Sequence, residues 1–222
     1  MTTERSAWLR ERRRIHEERM DTIFALIYDA EWGAYINPTH RAMLERFLAA
    51  CPANALILDA ACGTGKYWPL IVSTGRQVEG IDQSQHMLTI AQAKHPATPV
   101  RKVGLQELDD HQRYGGIICI DAMENVCPED WPPVLHNIQR ALRPAGWLYL
   151  TMELETPDLL REAFQRGRRQ GLPLVAGEVV QDGDYHYYPP LTQVHTWFDQ
   201  AQFSIIHTAE GDGYYHVMAR GR

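Results

Sequence analysis

Two aspartates and a loop of small residues carry the chemistry this sequence can do. Asp59 ends the apolar run Ala55-Leu-Ile-Leu-Asp-Ala60, and Ala61-Cys-Gly-Thr-Gly65 follows it. Asp82 ends the next apolar run, 17 residues past Gly65. A side-chain-poor loop at the tip of a buried strand lets backbone come close to a ligand, and Gly63 and Gly65 can take positive φ there. A helix opening at residue 65 would add free N–H groups and a partial positive charge. An acid at the neighbouring strand end can accept both hydroxyls of a ribose. The set reads as a nucleoside site. It departs from the dinucleotide pattern G-x-G-x-x-G, because the third glycine falls on Trp68 or on Lys66 according to where the count begins. The triphosphate loop G-x-x-x-x-G-K-[ST] is absent from the sequence.

These residues need strands that end together, and the hydrophobic pattern supplies them. Strands are expected at 55–60, 77–84, 99–108, 115–123 and 146–154, with helices at 65–73, 84–96 and 131–146. Ser84 is placed to cap its helix and Pro96 to stop it. Short apolar runs alternating with helical patterns argue for a parallel α/β sheet buried on both faces. The runs 203–210 and 214–220, around Gly211-Asp212-Gly213, predict a hairpin that adds antiparallel strands at the C-terminal end. Upstream, 5–30 reads as one helix, and Thr39 as the N-cap of a helix over 40–50. The domain expectation is a helical cap over 1–50 and a core over 51–222, in which 155–200 forms a lid or insertion.

At 222 residues and 45% hydrophobic, the chain suits one domain with an appendage and a sizeable core. A net charge of -6 argues against coating nucleic acid or an anionic membrane. The arginines and glutamates of residues 4–19 read as a salt-bridged helix face rather than an RNA contact. The four cysteines have no CxxC spacing, so reduced thiols in a cytoplasmic protein are expected, with no metal site. The charged N-terminus has no apolar signal core, and no run of 18 apolar residues predicts a membrane span.

The motifs, taken together and in order, resemble those of class I S-adenosylmethionine-dependent methyltransferases of the ubiquinone-biosynthesis type. Leu58-Asp-Ala-Ala-Cys-Gly-Thr-Gly65 resembles their first motif, and Val78-Glu-Gly-Ile-Asp82 with Met87 their second. Val103-Gly-Leu-Gln-Glu-Leu108 resembles the loop beside the adenine. Ile117-Ile-Cys-Ile-Asp-Ala-Met-Glu-Asn-Val126 resembles the fourth strand and its exit, with Asn125 where a His is usual. Ala141-Leu-Arg-Pro-Ala-Gly146 resembles the turn before strand five. The resemblance covers residues 55–151 and implies a Rossmann-like α/β fold: seven strands, mostly parallel, a C-terminal antiparallel hairpin, and helices on both faces. It implies S-adenosylmethionine as cofactor and S-adenosylhomocysteine as product. Cofactor-binding residues are then Tyr28, Asp59, Ala61, Gly63, Gly65, Asp82, Gln83, Met87, Leu105, Gln106 and Asp121.

The same resemblance places the acceptor between the N-terminal helix and the region after strand five. Trp32 and Tyr35 form one wall with Tyr28 beside them, and Tyr185 and Tyr188 form the other. His186 and Glu124 are the candidate catalytic groups, with His195 a lesser candidate base. The expected activity is methyl transfer to a small-molecule acceptor at O, N or C. The alternatives are an RNA or protein methyltransferase, or a protein that binds the cofactor for a non-methylating reaction such as cyclisation. No nucleic-acid or membrane partner is expected, and the long first helix could serve a homodimer.

Overall fold

Seven apolar runs become one sheet, and two more strands stand apart. In this computed structural model, which describes residues 3–33, 35–181 and 183–222, Met1, Thr2, Ala34 and Asp182 lie outside the described residues. The strands are β1 (Leu56–Ala60), β2 (Gln77–Asp82), β3 (Val100–Lys102), β4 (Tyr114–Cys119), β5 (Leu142–Glu153), β6 (Glu178–Gln181), β7 (Asp184–Tyr187), β8 (Phe203–Gly211) and β9 (Tyr214–Gly221). The main sheet runs β3-β2-β1-β4-β5-β9-β8; the first five strands are parallel and β9 and β8 antiparallel. The strand order reverses between β1 and β4, which opens a crevice at their carboxyl ends.

The helices are α1 (Thr3–Arg19), α2 (Ala25–Tyr28), α3 (Pro38–Ala50), α4 (Trp68–Val72), α5 (Gln85–Lys94), α6 (Trp131–Ala141), α7 (Pro157–Arg169) and α8 (Leu191–Gln200). Both faces of the sheet are covered, so adjacent strand residues are both buried. Ile57 packs with Leu44, Phe47, Trp68 and Leu88, while Leu58 packs with the Trp131, Val134 and Phe198 side. That double burial is why β1 reads as a continuous apolar run.

Several elements differ from the sequence expectation. The first helix gives way after Arg19 to a π turn at Met20–Phe24, the α2 turn and a second π turn at Asp29–Gly33. Helix α3 starts at Pro38, where a missing N–H costs nothing, so Thr39 lies inside the first turn and gives its N–H to Asp212 Oδ2 at 2.9 Å. The helix expected from residue 65 begins only at Trp68, because residues 61–67 form the ligand-side loop and turns. Ser84 does cap α5, accepting from the Met87 N–H at 3.1 Å. The aromatic segment after Gly183 is not a bare loop: β7 pairs with β6 in a small second sheet.

Helix α1 is bolted over the strand ends. Arg5 bridges Glu129 and Glu178, Arg13 holds Glu107, Arg19 holds Asp184, and Trp8 meets the ring of Tyr185 edge-on at 5.8 Å. No helix among the described residues is long and apolar enough to cross a membrane.

Candidate active site

A cavity of about 380 Å³ opens at the carboxyl ends of β1, β2 and β4, beneath α1. The exit of β1 brings Asp59, Ala61 and Gly63 to it; β2 brings Asp82 and Gln83, and α5 adds Met87. Leu105 and Gln106 reach it from the 3-10 turn after β3, Asp121 from the exit of β4, and Tyr28 from α2. Ten residues expected at the cofactor therefore share one space, although they come from five separate parts of the chain.

The loop geometry explains its composition. Ala61 (φ 65), Gly63 (φ 52) and Gly65 (φ 78) all take left-handed backbone. The Cys62 N–H donates to the Ile81 carbonyl at 2.9 Å and ties the loop to β2. At Gly63 no heavy atom lies within 4 Å of where a Cβ would stand, so bare backbone faces the cavity. Gly65 serves packing instead: a Cβ there would stand 2.6 Å from the Trp68 ring, and Gly65 does not line the cavity.

Each acid is held in place. Asp82 accepts from the Gly63 N–H at 2.9 Å and from the Ser84 N–H at 2.8 Å. Asp59, 2% exposed, accepts from the Trp68 indole at 2.9 Å. Asp121 takes left-handed backbone (φ 54), gives its N–H to Thr151 Oγ1 at 2.9 Å, and shares a 3.0 Å hydrogen bond through Oδ1 with buried His40. The Tyr67 hydroxyl donates to Asp121 Oδ2 at 3.4 Å.

Two of these carboxyls, Asp59 and Asp82, resist ionisation at the end of the buried sheet. Burial, reinforced by Asp82 and Asp121 and opposed by the Trp68 bond, pushes Asp59 up to about 7. Burial also pushes Asp82 up, against its backbone hydrogen bonds. Such a floor favours a cation, since positive charge restores the ionised form. A sulfonium with an ammonium tail and a ribose fits this set of acceptors and the bare backbone at Gly63. Among the described residues, no group of three or more His, Cys, Asp or Glu side chains is arranged to hold a metal ion.

The acceptor-side expectations divide. Tyr185 lines the cavity and donates its hydroxyl to Glu178 at 2.6 Å. Trp32 and Tyr35 stand exposed and away from the lining, with Trp32 packed on Phe24 and Tyr28. Tyr188 and His186 hydrogen-bond each other at 3.1 Å outside the lining. His195 bonds the Tyr215 hydroxyl at 2.9 Å. Glu124 is buried behind the cavity, and burial beside Glu153 and Asp121 pushes its carboxyl well above the usual range. Residues that the sequence did not assign to the site also line the cavity: Arg10, Arg12 and His16 of α1, Lys66, Tyr67 and Asn125. Burial pushes His16 down to about 4, so it is neutral at pH 7. Arg12 and His16 lie one helical turn apart, beside the Ser6, Leu9, Arg13 and Met20 stripe that α1 turns to the cavity, but their polar side chains gave the apolar pattern no signal.

A doubly covered, seven-stranded sheet with its cavity at the strand-order switch defines a Rossmann-like methyltransferase fold. Residues 33–208 match the family model described as a methyltransferase domain, and the chain belongs to that family, the class I S-adenosylmethionine-dependent methyltransferases. The ubiquinone biosynthesis O-methyltransferase of Hydrogenovibrio crunogenus is 30% identical over 130 residues, 54% of this chain and 52% of that protein. The ubiquinone/menaquinone biosynthesis C-methyltransferase of Rubrivivax gelatinosus is 26% identical over 206 residues, 89% of this chain and 80% of that protein. The chain thus spans about half the length of the first curated relatives it matches. In fold it is similar to magnesium protoporphyrin IX methyltransferase of Synechocystis PCC 6803, solved with S-adenosylhomocysteine bound. That match has a TM-score of 0.69 at 17% identity and covers 95% of this chain and 100% of the other. S-adenosylmethionine is the cofactor of this family.

Proposed function

We propose that the chain transfers a methyl group from S-adenosylmethionine to a small-molecule acceptor. The observation that carries this reading is the cavity where Asp59, Asp82 and Asp121 meet the bare backbone of Gly63 beneath α1. Relatives named for ubiquinone biosynthesis support a small-molecule acceptor. So does a neighbour from Burkholderia thailandensis solved with 1,6-didemethyltoxoflavin bound, which has a TM-score of 0.67 at 16% identity and covers 96% of this chain and 89% of the other.

When bound, the cofactor supplies a methyl group on positively charged sulfur, already activated toward a nucleophile. The residues then mainly bind and align. In this proposal Asp82, held by two backbone donors, takes the ribose hydroxyls. Met87, Leu105, Gln83 and Gln106 surround the adenine. Asp59 faces the ammonium end, and α1 keeps water out. Where the acceptor must lose a proton, Asp121 Oδ2 receives it while His40 holds Oδ1. Asp121 takes this role rather than His186 or Glu124, which do not line the cavity.

Calorimetric titration with S-adenosylmethionine and S-adenosylhomocysteine tests the cofactor half. Release of S-adenosylhomocysteine in the presence of candidate acceptors tests the transfer. Folded protein that binds neither molecule would sink the proposal.

A further inference from the structure

Helix α1 carries six arginines, and four of them are paired with carboxylates. Arg5 holds Glu129 and Glu178, Arg13 holds Glu107, Arg14 holds Glu11 and Glu18, and Arg19 holds Asp184. Of the three lysines, Lys94 pairs with Asp29 and Lys102 with Glu17. The remaining cations of these two sets are Arg10, Arg12 and Lys66. They form no ion pair among the described residues, and all three line the same cavity.

Two of the three are also partly withdrawn from water. Arg12 Nε is buried and has no hydrogen-bond acceptor. An unmet buried donor on a charged group is disfavoured in a finished fold and calls for a partner. Burial pushes the Lys66 ammonium down, and its Nζ lies 5.6 Å from the centre of the Tyr67 ring. Asn125 Oδ1, on the same lining, is likewise buried without a partner. The lining therefore carries both signs of charge. The acids Asp59, Asp82, Asp121, Glu129 and Asp130 suit a cation, while Arg12 and Lys66, which no carboxylate pairs, suit an anion. A guanidinium presents a planar fork that matches an oxyanion, and an ammonium adds a point charge. Tyr67 and Tyr185 supply aromatic faces on the lining.

We infer that the methyl acceptor is an aromatic molecule bearing an oxyanion, held by Arg12 and Lys66 with Arg10 beside them, and donating an N–H or O–H to Asn125. The inference rests on the methyltransferase reading and narrows its acceptor class. The cofactor's own carboxylate is the rival occupant of these cations, so the experiment separates the two.

The protein is first titrated with S-adenosylhomocysteine, then, loaded with it, with salicylate, phenyl phosphate and the neutral salicylamide. The expected result is that at least one anion binds about tenfold or more tightly than salicylamide. Arg12→Gln and Lys66→Gln each weaken that anion about tenfold or more, the worth of a charged hydrogen bond, and leave S-adenosylhomocysteine affinity within about twofold. Arg14→Gln, which removes an exposed arginine already paired within α1, leaves both affinities unchanged. If Arg12→Gln and Lys66→Gln weaken S-adenosylhomocysteine as much as the anion, the cations hold the cofactor and the inference is overturned. If the loaded protein binds salicylamide as well as the anions, it is overturned again. Failure of the parent to bind S-adenosylhomocysteine shows up in the first titration and removes the methyltransferase reading itself.

Discussion

Replacing Asp59 by Asn tests the acid floor in two ways at once. Asp59 is wholly buried, and its carboxyl is pushed from 3.8 to about 7, first by burial and then by Asp82 and Asp121. A folded value above the unfolded one means the folded protein holds the proton more tightly. Its contribution to stability is full below pH 3.8 and is lost as pH rises toward 7. At about 1.4 kcal/mol per pH unit, the ionised carboxylate at pH 8 costs the empty protein on the order of 4 kcal/mol. Asn has nearly the same shape, its amide oxygen can still accept from the Trp68 indole, and it never ionises. Asp59→Asn should therefore raise stability to denaturant by about 4 kcal/mol at pH 8 and by only about 1.6 kcal/mol at pH 5, where less of the penalty has set in. Binding should move the opposite way. If the cofactor's ammonium needs ionised Asp59, the competent fraction of the parent rises about tenfold between pH 6 and pH 8, and S-adenosylhomocysteine affinity rises with it. Calorimetry at both pH values should show that rise in the parent, and an Asn variant that is weaker at pH 8 and lacks it. A parent with flat affinity, or a variant that tracks the parent, would refute the assignment of positive charge beside Asp59.

Other outcomes follow from the same geometry. Gly63→Ala should fold with a loss of about 1–2 kcal/mol for its left-handed backbone, yet lose S-adenosylhomocysteine binding at least about tenfold by calorimetry, because its Cβ enters the cavity. Gly65→Ala should instead lower the unfolding free energy by at least about 2 kcal/mol, read by denaturant titration, since its Cβ meets the Trp68 ring. Asp82→Ala should abolish measurable cofactor binding while circular dichroism stays that of the parent; tight binding would disprove the ribose assignment. Arg5→Ala leaves Glu178, at zero exposure, without its guanidinium partner, and should cost about 3–5 kcal/mol and make α1 an early site of proteolysis. A loss under about 1 kcal/mol would show that α1 is held by other contacts.

What could be read directly from the residues was local and periodic. The apolar runs at β1, β2 and β4 had to be doubly buried strands, since no half-solvated strand tolerates Ile57 and Leu58 side by side. Gly63 and Gly65 announced left-handed backbone and both have it; Ala61 takes it as well, which its residue type did not announce. Ser84 before an apolar helical run announced its cap. The strand-end acids Asp59 and Asp82 came from this local code, and the remaining cofactor positions from motif order. The tertiary structure alone decided the rest. Arg12 meets the cavity, and His40 and Tyr67 meet Asp121, across gaps of tens of residues, and no pattern along the chain marks such meetings. The same holds for failures of reach: Trp32, Tyr35 and Tyr188 had the right chemistry, but the π turns after α1 and the β6–β7 pairing carry them elsewhere. Secondary structure is written in neighbours three or four residues apart, whereas a site is assembled by packing, which brings together residues that share a sheet end and nothing in the sequence between them.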